Sequence, residues 1–280
     1  MRILITGSGG QLGHAFQETA AGRMLIPVSS AELDISSLEA VRQVLSSHQP
    51  TLVINCAAYT KVDQAEIEPE QAWRVNAVGP RNLAIATAER GVPLVHVSTD
   101  YVFDGRAERP YHEYDQTGPL SVYGQTKLAG EQGVLAHNLR HYIVRTAWLY
   151  HHHSGPSGNF LLTMLRLAVH GQVRVVSDQY GSPTYAPHLV RAILELIDTE
   201  AYGTYHLAGR GGTSWYELTR RLYSHMGLNV TVTPVATTEF IRPAPRPRYS
   251  ILKTIQSPEI VLPDWEEGLA CFADRLKNGS

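Results

Sequence analysis

Tyr123 and Lys127 form a Tyr-x-x-x-Lys pair, and Ser98-Thr99-Asp100 lies upstream at the end of an apolar, β-rich run. If the segment after Ser121 is helical, the phenol and the ammonium stand one turn apart on the same face. There the cation can lower the phenol's pKa and make it a usable proton donor near neutrality. The same spacing also arises as an ordinary solvated pair, so the chemistry depends on what the chain places beside it.

The N-terminus supplies a candidate for that neighbour. Arg2 to Thr6 is a short apolar run that passes into Gly7-Ser8-Gly9-Gly10-Gln11-Leu12-Gly13 and then a helical pattern with Leu12, Ala15, Phe16 and Thr19 on one face. Gly7, Gly10 and Gly13 have the G-x-x-G-x-x-G spacing that permits a tight turn, close approach to a pyrophosphate and close helix packing. Free N–H groups and the positive dipole end of the helix would face the phosphates. The bland alternative is a glycine-rich loop with no ligand.

Reading on, Met24 to Val28 suggests a second strand that ends in Ser29-Ser30 with no acidic residue there. A carboxylate at this place grips the adenosine ribose and repels a 2'-phosphate, so its absence permits NADP(H), with Arg23 or the two serines as phosphate contacts. Asp34-Ile35 precedes a helical segment through Val41 and Leu45, and a strand follows from Leu52 to Ala58. Ala57 and Ala58 either leave room for a cofactor over the strand tip or serve tight helix packing. Pro69 to Gly91 reads as one long helix with Trp73, Ala77, Leu83, Ala84 and Ala88 inward, disturbed near Gly79-Pro80. Asn76 is then a surface amide or one turned inward onto the backbone of the site. Pro93 to Thr99 and Tyr142 to Ala147 read as buried strands that deliver Thr99 and Trp148 to their carboxyl ends, with His96 structural.

Strands alternating with helices imply a Rossmann-like α/β fold: a doubly wound parallel sheet over residues 1–150, with a smaller C-terminal substrate-binding region over 151–280, some of whose elements return to the main sheet. The 280 residues include 24 basic and 26 acidic ones, a net charge of −2, so no basic field points to nucleic acid or an anionic membrane. No apolar run approaches the roughly 20 residues of a membrane span, and a soluble, cytoplasmic protein is expected. Cys56 and Cys271 are expected to pack in the core rather than pair. His151-His152-His153, followed by Ser154, Gly155, Pro156, Ser157 and Gly158, reads as a solvated loop with no metal, since no carboxylate or cysteine lies at ligand spacing.

Several blocks together carry a resemblance: Gly10-Gln11-Leu12-Gly13, Leu33-Asp34-Ile35, Asn55 to Asp63, Ser98-Thr99-Asp100-Tyr101-Val102-Phe103-Asp104-Gly105, Tyr123 to Glu131, Arg145-Thr146-Ala147-Trp148, Asp178-Gln179-Tyr180-Gly181-Ser182-Pro183-Thr184 and Arg246 to Ser250. With them the chain resembles the extended short-chain dehydrogenase/reductase superfamily and, within it, the dTDP-4-dehydrorhamnose reductase family. The resemblance implies hydride transfer from NADPH, or from NADH, to the C4 carbonyl of a nucleotide-linked 4-keto sugar whose product enters polysaccharide. It implies Tyr123 as general acid, Lys127 on the phenol and the nicotinamide ribose, and Thr99 donating to the carbonyl oxygen.

It further implies cofactor contacts at Gly7, Gly10, Gln11, Leu12, Ser29, Asp34, Ile35, Ala57, Ala58, Tyr59, Thr60, Tyr123 and Lys127. Thr99, Asp100, Trp148 and Arg246 would meet the substrate, although Arg246 in a Pro-rich loop is equally readable as a surface arginine. Some members of the family are dimers that share a magnesium ion through glutamates; here His14-Ala15-Phe16 and Tyr185-Ala186-Pro187-His188 lack them, so a metal-independent monomer or weak homodimer is expected. Two rivals stay open: a non-catalytic regulatory subunit of the same fold, like the β subunit of methionine adenosyltransferase, and a nucleotide-sugar epimerase or dehydratase.

Overall fold

The computed structural model describes residues 1–20, 22–153 and 158–279; Ser154, Gly155, Pro156 and Ser157 of the expected loop lie outside the described residues. The first half alternates as the hydrophobic periodicity predicts: β1 (Arg2–Thr6), α1 (Gln11–Thr19), β2 (Met24–Val28), α2 (Leu38–His48), β3 (Leu52–Asn55), α3 (Val62–Ile67), α4 (Pro69–Trp73), α5 (Gly79–Ala88), β4 (Leu94–Thr99), α6 (Val122–His137) and β5 (His141–Thr146). The second half adds β6 (Leu149–Tyr150), α7 (Phe160–Leu167), β7 (Gln172–Val176), β8 (Tyr180–Gly181), β9 (Thr184–Tyr185), α8 (Ala186–Asp198), β10 (Gly203–His206), β11 (Thr213–Ser214), α9 (Trp215–Met226), β12 (Thr231–Val235) and α10 (Trp265–Lys277).

The main sheet has six strands in the order β10-β5-β4-β3-β1-β2, all parallel. The chain leaves β1 toward β2 and returns to β3 on the other side of β1, so the switch point where such sheets bind ligands falls between β1 and β3. One face is covered by α1 and α8 through Phe16, Leu189 and Ile193, the other by α2, α5 and α6 through Val41, Leu83 and Val134. Leu218, Leu222, Trp265 and Phe272 build a separate cluster from α9 and α10. Among the described residues no helix is long and apolar enough to cross a membrane.

Three sequence expectations are corrected. The helix over 69–91 is broken by a π-helical turn at Arg74–Val78. Pro80 has no N–H to offer the carbonyl four residues back, and the turn widens. The extra residue rotates the inward face: Trp73 is 42% exposed and Ala88 exposed, while Ala72 and Asn76 are buried. The strand expected over 52–58 stops at Asn55, whose side-chain carbonyl accepts from Thr6 Oγ1 and the Ala57 N–H and so peels the chain off the sheet. Cys271 is exposed, because the inward stripe of α10 runs through Leu269, Phe272 and Ala273; Cys56 is half-buried at the end of β3.

Behind the strand tips lies a buried ion pair. Arg145 on β5 grips both oxygens of Glu131 on α6 at 2.7–3.2 Å, and Ser98 Oγ donates to the same carboxylate at 2.5 Å. Removing one partner of such a pair leaves the other charge in a low dielectric. Glu131→Gln is therefore expected to lower unfolding stability by about 3 kcal/mol, read from urea unfolding midpoints; a loss within error would show that the pair does not hold α6 to the sheet.

Candidate active site

The glycine turn sits at the switch point. Gly7 has φ +65°, and a side chain there would strike the backbone of Ala57 at the end of β3. Gly13 meets the carbonyl of Gly7 and the backbone of Ser8, so any Cβ would push α1 away from β1. The N-cap of α1, Gly10, has no side-chain cap, and the first turn carries no acidic residue. Uncapped N–H groups beside a backbone stripped of side chains fit the phosphates of a dinucleotide. Leu12 is buried in the core and offers that site its backbone; Gln11 instead spends its side chain on the loop after β6, accepting from the His151 N–H and from Asn159 Nδ2, both at 3.0 Å.

The end of β2 differs from expectation. Ser29 is followed in space by a carboxylate after all: Glu32 accepts from the Ser29 N–H at 2.8 Å and from its Oγ at 2.7 Å. A sequence pattern that looks only at the strand's last residues misses a side chain folded back from the next turn. Arg23, expected as a phosphate contact, is held by Asp198 in a bidentate ion pair. Asp34 accepts from Ser36 and faces Arg74, while Ile35 is buried and its carbonyl takes Asn82 Nδ2.

Above β3, Ala57 and Ala58 are half-buried and Thr60 is exposed. Tyr59 is clamped by Asn76, whose Oδ1 accepts the Tyr59 N–H at 2.8 Å while Nδ2 donates to its carbonyl at 3.0 Å. Of the two readings of Asn76, the inward one holds, and the π turn is what points it there.

Thr99, at the end of β4, and Tyr123 and Lys127, on the first turns of α6, converge beside this surface. Ser121 caps α6 by accepting the Gly124 N–H at 3.1 Å, which starts the helix so that Tyr123 lies next to Thr99. Burial pushes the phenol up to about 12, and only the Thr99 hydroxyl works in the other direction. The phenol is thus raised, not lowered as the Tyr-x-x-x-Lys spacing led one to expect. The ammonium is buried and donates to the Val97 carbonyl at 2.6 Å. Burial lowers Lys127 to about 8, opposed by Glu131 one turn on. Its charge also acts on Cys56 and His96, which places it between the tips of β3 and β4. His96 is structural, sharing a 3.0 Å contact with Asn55 Nδ2 and held neutral by burial.

On the substrate side, Asp100 is buried, its Oδ1 accepting from Thr99 Oγ1 at 3.0 Å while Oδ2 has no hydrogen-bond partner among the described residues. Desolvation raises its pKa to about 6. Trp148 has φ +47° and stacks on Trp215 with ring centroids 3.3 Å apart and planes 4° from parallel, against the bare face of Gly181. Arg246 is no free surface arginine: both outer nitrogens bind Asp63, and Nη1 also donates to the Ala244 carbonyl at 2.6 Å. Asp63 and Trp215 were missed by sequence reasoning, because each acts through a partner far along the chain.

The His151-His152-His153 run is likewise corrected. The first two side chains are 0% and 4% exposed and only His153 is solvated, at 56%, with the carboxylate of Glu18 facing all three.

The whole chain has known relatives. A family model described as the RmlD substrate binding domain matches residues 1–278. The dTDP-4-dehydrorhamnose reductase of Mycolicibacterium smegmatis is 45% identical over 278 residues, covering 96% of this chain and 84% of that protein. A crystal structure of a dTDP-4-dehydrorhamnose reductase from Clostridium acetobutylicum superimposes with a TM-score of 0.95 at 43% identity, covering 99% of this chain and all of that one. One from Bacillus anthracis in complex with NADP gives 0.93 at 42%, covering 97% and 98%. With this fold and these matches along its length, the chain belongs to the dTDP-4-dehydrorhamnose reductase family, the group described by the RmlD substrate binding domain.

Proposed function

We propose that this chain reduces the C4 ketone of dTDP-4-dehydro-L-rhamnose to dTDP-L-rhamnose with NADPH, in the cytoplasm, as a monomer or weak homodimer. Residues 1–150 act as the dinucleotide-binding unit and 151–280 mainly as the substrate-binding region. The meeting of Thr99, Tyr123 and Lys127 beside the glycine turn carries this reading, and the NADP-bound relative from Bacillus anthracis supports the cofactor. An intact acid in that place also favours an enzyme over a regulatory subunit.

NADPH, when bound, supplies the hydride. The turn of Gly7, Gly10 and Gln11 and the backbone of Leu12 would hold its phosphates, and Ser29, Asp34, Ile35, Ala57, Ala58, Tyr59 and Thr60 would hold the rest of the cofactor. Tyr123, protonated across the neutral range because burial holds its pKa near 12, gives its proton to the C4 oxygen. A developing alkoxide is far more basic than a phenolate, so the transfer runs downhill, and Lys127, one helical turn on, would offset the charge of the phenolate left behind.

The Thr99 O–H is directed at Asp100. Thr99 would donate to the C4 oxygen, Asp100 would accept from a sugar hydroxyl, and the stacked Trp148–Trp215 pair would border the deoxysugar. Arg246, kept in place by Asp63, faces the diphosphate.

Purified protein with NADPH and dTDP-4-dehydro-L-rhamnose is expected to consume one NADPH per product formed. Tyr123→Phe should lower kcat by roughly 10²- to 10⁴-fold with NADPH affinity retained in a fluorescence titration; near-normal turnover would remove Tyr123 as the acid.

The Glu32 carboxylate held at Ser29 would oppose a 2'-phosphate bound beside it, so Glu32→Gln should raise the NADPH-to-NADH ratio of kcat/KM by roughly two- to fivefold, the modest effect of a solvent-exposed charge. An unchanged ratio would place Glu32 outside the cofactor's reach.

Asp100 has a folded pKa of about 6 against the usual 3.8. Folding therefore favours its protonated form: the group supports stability below about pH 4 and withdraws that support as pH rises through 6. Asp100→Asn should stabilise the protein at pH 7.5 by on the order of 1–3 kcal/mol, with the gain gone near pH 4 and turnover reduced. Equal unfolding midpoints for the two proteins at pH 7.5 would show that the carboxylate is not under this strain.

A further inference from the structure

A cluster that the reaction does not use sits where α1 meets the segment after β6. Glu18 Oε2 lies 3.2 Å from His152 Nε2 and 3.5 Å from His151 Nε2, and one ligand atom from each residue falls within 4.8 Å of the other two. Both imidazole nitrogens are buried and have no hydrogen-bond partner among the described residues. Three donor atoms around a tetrahedral zinc, with bonds of about 2.0–2.1 Å, stand about 3.3 Å apart, close to the two spacings seen here.

We propose that Glu18, His151 and His152 bind one divalent transition-metal ion of the zinc type, which fastens residues 151–153 to α1.

The surroundings suit a ligand set of two imidazoles and one carboxylate. His152 Nδ1 lies 3.4 Å from Tyr185 Oη, the partner that takes the ring's other proton and leaves the Nε2 lone pair for the metal. His153 Nε2 sits 3.0 Å from the second Glu18 oxygen and orients the carboxylate. Binding through His151 Nε2 moves that ring's proton to Nδ1, so the long 3.3 Å contact from the His153 N–H opens.

The ion acts within one chain and through residues outside His14-Ala15-Phe16 and Tyr185-Ala186-Pro187-His188, the segments in which the family resemblance would seek bridging glutamates. Its effect reaches the glycine turn, because the His151 N–H is donated to Gln11 at the start of α1. The ion would therefore hold the loop against the helix end that faces the cofactor's phosphates.

The test uses the full chain, stripped with a chelator and titrated calorimetrically with zinc chloride alone. One ion per chain is expected, with a raised thermal midpoint. Glu18→Gln and His152→Asn should each weaken zinc binding at least tenfold and abolish the thermal shift, while His170→Asn, at an exposed histidine, changes neither. Zinc-free midpoints close to that of the unsubstituted chain show that these variants fold. Absence of zinc binding, or wild-type affinity in Glu18→Gln and His152→Asn, overturns the proposal. Magnesium in hundredfold excess should leave the zinc titration unchanged; displacement by magnesium would overturn the imidazole ligands. None of these readouts uses the reductase reaction, so the site stands or falls apart from the proposed function.

Discussion

The site depends on one buried cation. Lys127 lies on the second turn of α6 with its ammonium between the tips of β3 and β4, bonded to the Val97 carbonyl and taken down to about 8 by burial. An ammonium in such a place is tolerated because Glu131 stands one turn further on. Glu131 is in turn shared with Arg145 and Ser98, so β4, β5 and α6 are tied through one carboxylate that also acts on the Lys127 charge. Tyr123 and Thr99 are neighbours because that tie sets where α6 crosses β4.

Around this centre, the groups poised for ligands are held at some expense of stability. Asp100 is a desolvated carboxyl with one oxygen unpartnered among the described residues, and Trp148 adopts a left-handed backbone that a bulky residue rarely takes. Both lie on the side of the strand tips away from the glycine turn, where the sugar is placed by the proposed reaction. Arg246 shows a second device: its guanidinium is held in one orientation by Asp63 on α3. A diphosphate would then meet a cation that has already lost much of its rotamer freedom.

Much of the fold was legible in the chain because parallel strands buried on both faces give continuous apolar runs, and glycine at tight turns has no substitute. The alternation from Arg2 to Thr146 and the helix after Ser121 could be read this way. Errors fell where a local rule met a long-range partner. Trp73 and Ala88 were turned outward by a π turn that no 3.6-residue period contains, and β3 was cut short by an asparagine bonded to β1. Glu32 was missed because it folds back onto Ser29 from three residues on, and Arg23 was misread because its partner, Asp198, is at the far end of α8.

What the sequence by itself determined is the set of groups and the order of elements: a glycine turn after the first strand, a hydroxyl at the end of the fourth, and a phenol and an ammonium one helical turn apart. These follow from spacing, which acts through a few neighbouring residues. Only the tertiary structure decided the electrostatics: a phenol raised rather than lowered, a lysine turned to a strand carbonyl, and a histidine run packed against Glu18. Protonation and pairing depend on burial and on charges many residues away, and those distances exist only once the chain is folded.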